Sequence, residues 1–191
     1  MKTRSIVILL VIFAVLAGAF YVVSKDRPGP PPEPKEYVWL IEQEDIDHIK
    51  LELPRETPPL SQSFIKIPQE DKFPWFFDDA GRSPVDTVRW GGGIPLLLSG
   101  PGADRIINQD ATEDQLRVYG LLDPTLVVTL TLKDGRIMRI TWGDRTPDGS
   151  NDYARAPNTN AVATVDYTWF DVISKLVTEP PYASPPTTTA K

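Results

Sequence analysis

Three aspartates between residues 144 and 152 are the side chains of this chain best suited to bind a metal ion. Asp144, Asp148 and Asp152 supply carboxylate oxygens in a short loop with Gly149 and Ser150, and Ca²⁺ prefers oxygen ligands. Their spacing does not match the EF-hand loop, and Asp, Gly and Ser are also the residues that a hairpin turn selects. We therefore expect no bound metal or cofactor, with calcium at this loop as the open alternative.

No group of residues predicts a catalytic site. The chain has no cysteine and a single histidine, His48, which excludes a cysteine nucleophile and a zinc site built from Cys and His. Asp78 and Asp79 could act as an acid and base pair, but adjacent acids in a glycine-containing loop are typical of a solvated turn. Residues 91–93 are three glycines without the Gly-Lys-Ser/Thr of a phosphate-binding loop. We expect a protein that is not an enzyme.

The N-terminal segment is apolar from Ile6 to Val23 and is flanked by charged residues on both sides. A helix over this run would be about 27 Å long at ~1.5 Å per residue, close to the ~30 Å of a bilayer core. Residues 1–24 are therefore predicted to be a single transmembrane anchor. The alternative is a cleaved secretory signal, because Ala17-Gly18-Ala19 resembles a signal peptidase site.

The anchor would also be a contact surface for other membrane proteins. Small residues such as Ala14 and Gly18 let a second helix approach closely, so both are candidate partner-binding residues for integral membrane proteins of a larger complex. The short leading segment favours a cytoplasmic N-terminus in the cell membrane and a C-terminal domain that is periplasmic or extracellular. Outside the anchor, Arg89 and the adjacent Trp90 are the candidate partner-binding pair, because Trp90 precedes the three glycines.

Proline-rich segments divide the remainder of the chain. Residues 25–36 form a stiff spacer, residues 37–178 a single folded domain, and residues 179–191 a disordered tail rich in Pro and Thr. The formal net charge of −6 argues against nucleic acid as a partner.

Hydrophobic periodicity within the domain predicts strands, then a helix, then strands and a closing helix. The expected strands cover residues 37–41, 49–53, 64–67, 75–77, 125–132, 138–142, 151–156 and 161–165. Helices are expected over residues 84–98, where glycine and proline interrupt the pattern, over 112–118 after a capping box, and over 167–177 with Asp166 as N-cap. This is an α+β fold with an antiparallel sheet and two or three helices, preceded by the N-terminal transmembrane helix.

Several motifs occur in the order known from one family. They are Pro84-Val85-Asp86, Arg89-Trp90-Gly91-Gly92, Tyr119-Gly120-Leu121-Leu122-Asp123-Pro124, the strand Val127 to Leu132, Lys133-Asp134-Gly135, Gly143-Asp144-Arg145-Thr146-Pro147-Asp148-Gly149, Tyr153-Ala154-Arg155 and Val165-Asp166. In these motifs the chain resembles domain of unknown function 4340. The family consists of membrane-anchored bacterial proteins, often encoded beside auxiliary ABC-type transport components that are also linked to gliding. Leu122 departs from its pattern as a one-residue insertion.

Two functional hypotheses follow. The resemblance implies an extracytoplasmic domain without established enzymatic activity, and together with the anchor and spacer it favours a non-enzymatic accessory or scaffolding subunit of a larger membrane protein complex. The alternative is an accessory domain of an ABC-type transport system that binds a solute, a glycan or Ca²⁺. Its ligand would bind near Arg89 and Trp90 or in the loop from Asp144 to Asp152.

Overall fold

The computed structural model of the chain describes residues 3–25, 36–68, 75–86 and 94–182. It divides into two compact units, Met1–Pro34 and Lys35–Lys191.

The first unit contains one helix, α1, over Thr3–Lys25. Its side chains are described for residues 10–21, and all of them are exposed. No helix in the described parts of the chain satisfies the length and hydropathy that a membrane span requires. The helix predicted over residues 6–23 is therefore present, and its transmembrane placement stays a prediction.

The second unit is built on one antiparallel sheet of eight strands. The strands are β1 (Ile46–Leu53), β2 (Leu60–Lys66), β3 (Trp75–Phe77), β4 (Arg105–Asn108), β5 (Leu126–Leu132), β6 (Ile137–Arg145), β7 (Asn151–Arg155) and β8 (Val162–Asp166). The helices of this unit are α2 (Ile94–Ser99), α3 (Glu113–Val118) and α4 (Thr168–Thr178), and a short 3-10 turn covers Gln43–Asp45. The predicted α+β class with an antiparallel sheet is confirmed.

The strand order is β3-β2-β1-β5-β6-β7-β8-β4. The sheet therefore consists of a β1 to β3 meander and a β5 to β8 meander, joined where β1 pairs with β5, and β4 forms the edge beside β8. Leu51 on β1 lies opposite Val128 on β5, and Val128 in turn lies opposite Ile140 on β6. Because side chains alternate along a strand, this register places the apolar residues of the central strands on one face.

That apolar face carries the main core. Ile173, Leu176 and Val177 on α4 pack against β1 and β2, and Leu98 on α2 joins the same cluster. Helix α3 lies on the opposite face. There its Leu116 forms a second, smaller cluster with Ala111, Leu121 and Val162. The two faces are thus covered at different places, and part of the second face remains open.

The strand predicted over residues 37–41 is wrong, because this segment is an irregular stretch that packs around Trp39. Its indole Nε1 donates a hydrogen bond of 2.9 Å to the carbonyl of Leu98, and its ring meets that of Trp142 edge to face at 5.8 Å. Backbone hydrogen bonds from Val38 to Pro101 and from Ile41 to Ser99 also hold the segment, but its only β-bridge in the described residues joins Tyr37 to Gly102. The apolar residues here therefore pack around a buried indole without forming a regular strand.

The helix predicted over residues 84–98 is also wrong at its start. Pro84 and Val85 form isolated β-bridges, residues 87–93 lie outside the described residues, and the helix present is the short Ile94–Ser99. The edge strand Arg105–Asn108 was not predicted.

Both helix starts that the sequence predicted from caps are close to those observed. Thr112 makes the full capping box with Gln115 at the start of α3. Helix α4 begins at Thr168 with Tyr167 at the N-cap position, one residue after the predicted Asp166. The Asp166 carboxylate nevertheless accepts a hydrogen bond of 2.9 Å from the backbone N–H of Thr168, so it satisfies one of the free amides of the helix start.

Candidate functional site

Arg55 fastens the turn between α3 and β5 to the end of β6. Its guanidinium donates to the carboxylate of Asp144 at 2.6 Å, to the carbonyl of Asp123 at 2.7 Å and to the carbonyl of Gly120 at 3.3 Å. Gly120 has φ +70°, and a β-carbon added there would lie 2.5 Å from the Asp144 carboxylate. Gly120, Asp123 and Asp144, which belong to the motifs of the family resemblance, therefore have a structural role: they connect the α3–β5 turn to the end of β6. We call this connection the structural joint.

Gly143 allows a close backbone contact in the same structural joint. The N–H of Asp144 donates to the carbonyl of Tyr119 at 2.9 Å, and a β-carbon on Gly143 would lie only 2.0 Å from that carbonyl oxygen. A glycine is required where two backbones approach so closely. Leu122, which the resemblance implies to be a one-residue insertion, is 42% exposed in the adjacent turn, where an extra residue can be accommodated at the surface.

The three candidate calcium ligands each have a different protein partner. Asp144 binds Arg55, whereas Asp148 accepts hydrogen bonds from the hydroxyl of Thr146 and the N–H of Ser150, which lower the pKa of its carboxyl. Among the described residues, no group of three or more His, Cys, Asp or Glu side chains is arranged to hold a metal ion. The loop has the hydrogen bonding of a hairpin turn.

Asp152 is the buried member of this set. It is 4% exposed and forms an ion pair of 3.0 Å with Arg145, which also contacts Asp171 on α4 at 3.5 Å. Burial raises the pKa of the Asp152 carboxyl, and the hydrogen bond from Arg145 partly opposes that rise. Its Oδ2 atom has no hydrogen-bond partner. This pair ties the end of the sheet to the start of α4.

His48 and Asp78 are paired with each other. Nε2 of His48 lies 2.9 Å from Oδ2 of Asp78, whose other oxygen binds Arg82. The hydrogen bond with His48, with a further contribution from Arg82, lowers the pKa of the Asp78 carboxyl. A carboxyl that remains ionised is a poor general acid at neutral pH, so this geometry gives no support to acid and base catalysis by Asp78 and Asp79.

The residues predicted to bind partners are only partly described. Ala14 and Gly18 lie on α1, where Ala14 is exposed and a β-carbon added to Gly18 would meet nothing within 4 Å. Arg89 and Trp90 lie outside the described residues. Partner binding by these four residues therefore stays a prediction.

An apolar groove lies beside Trp39, at the end of the sheet where β6 and β8 begin and β7 ends. It consists of two hollows of about 400 and 380 Å³ that share the lining residues Val38, Ala156 and Thr159. The apolar part of the lining includes Ile106, Ile137, Met138 and Ala163, and the polar part includes Glu36, Tyr37, Gln109, Arg136 and Asn158. Ile137 is 62% exposed, so the groove offers apolar surface to solvent. We call this feature the apolar groove.

A second, polar hollow of about 170 Å³ lies on the open face of the sheet. Its lining comprises Arg139 and Thr141 on β6, Arg155 at the end of β7, and Ala156 and Asn158 in the β7–β8 loop. We call it the two-arginine pocket. The sequence did not predict either hollow, because their residues come from strands whose relative register is not apparent in the sequence.

Together these features define only a class, an α+β domain with one long antiparallel sheet, helices on both faces of the sheet and two surface hollows. Residues 102–179 match the sequence model of a family described as domain of unknown function (DUF4340). The match runs from before β4 to the end of α4 and supports the resemblance, whereas the motifs at residues 84–92 precede it. No curated protein and no solved structure matches the chain.

Proposed function

We propose that this protein is a non-enzymatic, membrane-anchored accessory subunit, and that its folded domain holds a segment of a partner membrane protein in the apolar groove. The observation that carries the proposal is the unbroken apolar surface of α1. Leu10, Val11, Ile12, Phe13, Val15, Leu16, Phe20 and Tyr21 are all between 53% and 76% exposed. A helix that is apolar on every side requires lipid or another apolar surface around it.

The sequence indicates that a lipid bilayer provides the apolar surroundings of α1. The apolar run from Ile6 to Val23 is close to the length that a hydrocarbon core needs, and charged residues flank it on both sides. Residues 26–35, between the anchor and the folded unit, contain five prolines at 28, 30, 31, 32 and 34 and suit a spacer. The domain would then be held outside the cytoplasm at a distance from the membrane.

The apolar groove supports a protein partner. Grooves with apolar linings and a few polar groups accept side chains from extended or helical partner segments. The groove borders the segment that begins at Glu36, where the described part of the folded unit starts. A partner anchored in the same membrane would be held near this surface by effective concentration.

Membrane flotation of the full chain tests the anchor. We expect the full chain to float with the membranes and to remain there at high pH, and a chain without residues 1–24 to stay in the soluble fraction. Recovery of the full chain as a soluble protein would contradict the anchor.

Site-specific photo-crosslinking tests the groove. A photoreactive amino acid at Ile137 should capture an integral membrane protein in cells, and the same amino acid at Val118 should not, because Val118 is 76% exposed but lies on α3 away from the groove. Ile137→Lys should reduce co-purification of that protein at least tenfold, with Val118→Lys as the matched control. Equal capture at both positions, or full co-purification with Ile137→Lys, would exclude the groove as the partner site.

A further inference from the structure

The pairing of β6 with β7 brings two arginines and a threonine together on the open face of the sheet. Thr141 on β6 lies directly opposite Arg155 on β7. Arg139 is two residues before Thr141 on the same strand, so its side chain emerges on the same face. All three residues line the two-arginine pocket.

The positive charge of this pocket has no carboxylate partner among the described residues. In the described part of the chain, no carboxylate lies within ion-pair distance of Arg139 or Arg155. Lys50 and Glu52, on the same face two strands away, pair with each other at 2.8 Å. Two unpaired arginines side by side are unusual in a chain whose net charge is −6, because acidic partners are plentiful.

Arg155 is held in position although its charge is free. Its Nε donates to the carbonyl of Thr159 at 2.7 Å and one terminal nitrogen donates to Oδ1 of Asn160 at 3.0 Å. These neutral acceptors in the β7–β8 loop fix the guanidinium plane without neutralising its charge. A guanidinium that is held in place before binding loses less side-chain freedom when a ligand arrives.

Thr141 adds an independent observation. The residue is 9% exposed, and its Oγ1 atom is buried without a hydrogen-bond partner. Burying a hydroxyl without a partner is unfavourable, so each such atom in a native structure calls for an explanation, and a bound ion or water is one of them. Thr141 is one of the residues that line the pocket of the two arginines.

We propose that the two-arginine pocket binds a phosphate group. The two guanidinium groups supply charge-assisted donors, and Thr141 supplies a neutral donor that the ligand satisfies on binding. A phosphate carries more charge than a carboxylate and accepts hydrogen bonds from more directions, which suits two cations and a hydroxyl on two strands. This inference does not depend on the anchor or on the apolar groove, and it gives the ligand-binding alternative a defined site.

Titration of the full chain in mild detergent with inorganic phosphate tests the proposal, followed by calorimetry or by ³¹P NMR at low ionic strength. We expect saturable binding in the millimolar range or tighter, and an increase in the melting temperature with phosphate concentration. Acetate, titrated in the same way, should bind at least threefold more weakly. Absence of saturable phosphate binding would overturn the site, and acetate binding as tight as phosphate binding would overturn the assignment to phosphate.

Two variants test the residues. Arg139→Gln should weaken phosphate binding at least tenfold, with Arg117→Gln as the matched control because Arg117 is an exposed arginine on α3. Thr141→Val should raise the melting temperature without phosphate and weaken phosphate binding at least threefold. A purely structural role for Thr141 would give the first effect alone, and unchanged binding in both variants would overturn the proposal. These outcomes do not depend on whether the chain has a protein partner.

Discussion

The carboxylate of Asp144 lies directly over Gly120, so that a β-carbon added to Gly120 would stand 2.5 Å from Oδ1. This glycine has φ +70°, a conformation that other residues adopt at a cost of about 1–2 kcal/mol. Gly120→Ala adds a clash to that strain and displaces Asp144 from Arg55. We expect it to lower the free energy of unfolding by about 3 kcal/mol, measured by urea denaturation of the full chain.

Gly149→Ala is the matched control for Gly120. Gly149 has φ +77°, but a β-carbon there would meet nothing within 4 Å, so only the strain remains. We expect a loss of about 1–2 kcal/mol. Equal losses in the two variants would show that contact between Gly120 and Asp144 contributes nothing to stability.

The buried carboxyl of Asp152 predicts a pH dependence of unusual sign for an acid. Because burial raises its pKa in the folded protein, the folded state binds a proton more readily than the unfolded state does. Stability from this group is therefore greatest at pH values below the unfolded pKa of about 3.9, and falls as the pH rises through the folded pKa. The free energy of unfolding of the native protein relative to Asp152→Asn should fall across this range, and a relative increase would contradict the prediction.

Asp78 predicts the opposite dependence. Its pKa is lowered by the hydrogen bond with His48 and by Arg82, so its contribution is present above the unfolded pKa and is lost as the pH falls through the folded pKa. Since both partners are part-exposed, Asp78→Asn should cost only about 0.5–1 kcal/mol at pH 7. The neighbouring Asp79→Asn is the control, and denaturation at pH 7 and at pH 3 should show the difference between the variants shrinking at the lower pH.

Trp39 should stabilise the fold through its indole nitrogen as well as its volume. Trp39→Phe keeps an aromatic ring beside Trp142 but removes the hydrogen bond to the carbonyl of Leu98, so we expect a loss of about 2–3 kcal/mol. Trp169→Phe makes the same change in volume at a part-buried position on the same core and should cost about 1 kcal/mol. Thermal denaturation of both variants measures the two losses of stability. A larger loss in Trp169→Phe than in Trp39→Phe would exclude the hydrogen bond of Trp39 as its main contribution to stability.

Local patterns in the sequence predicted the elements that local interactions determine. The alternating apolar residues from Leu126 to Leu132 predicted β5, and Lys133-Asp134-Gly135 predicted the turn to β6. The capping box at Thr112 predicted the start of α3. The hydrogen bonds of the turn and of the capping box lie within a few residues of one another, and the alternation in β5 reflects the burial of one face, so the local sequence contains the required information.

Features that depend on distant strands could not be predicted in this way. Strand β4 has only four residues, and its pairing with β8 brings Ile106 opposite Ala163, far away in the sequence. The two-arginine pocket depends on the register between β6 and β7, which shifts between Trp142 and Arg145. A shift of one residue would turn Arg155 to the other face, so alternation within each strand does not reveal that Arg155 lies opposite Thr141.

The pairing of β1 with β5 determines which fragments of this protein can be expressed without an exposed strand edge. The stretch that matches the family, residues 102–179, contains β5 but lacks β1, its neighbour in the sheet. Expressed alone, that stretch would expose the hydrogen-bonding edge of a long apolar strand, and such an edge promotes association between copies. The stretch that matches the family model is therefore shorter than the sheet to which it belongs, and the β1 to β3 meander covers the edge that this stretch would otherwise expose.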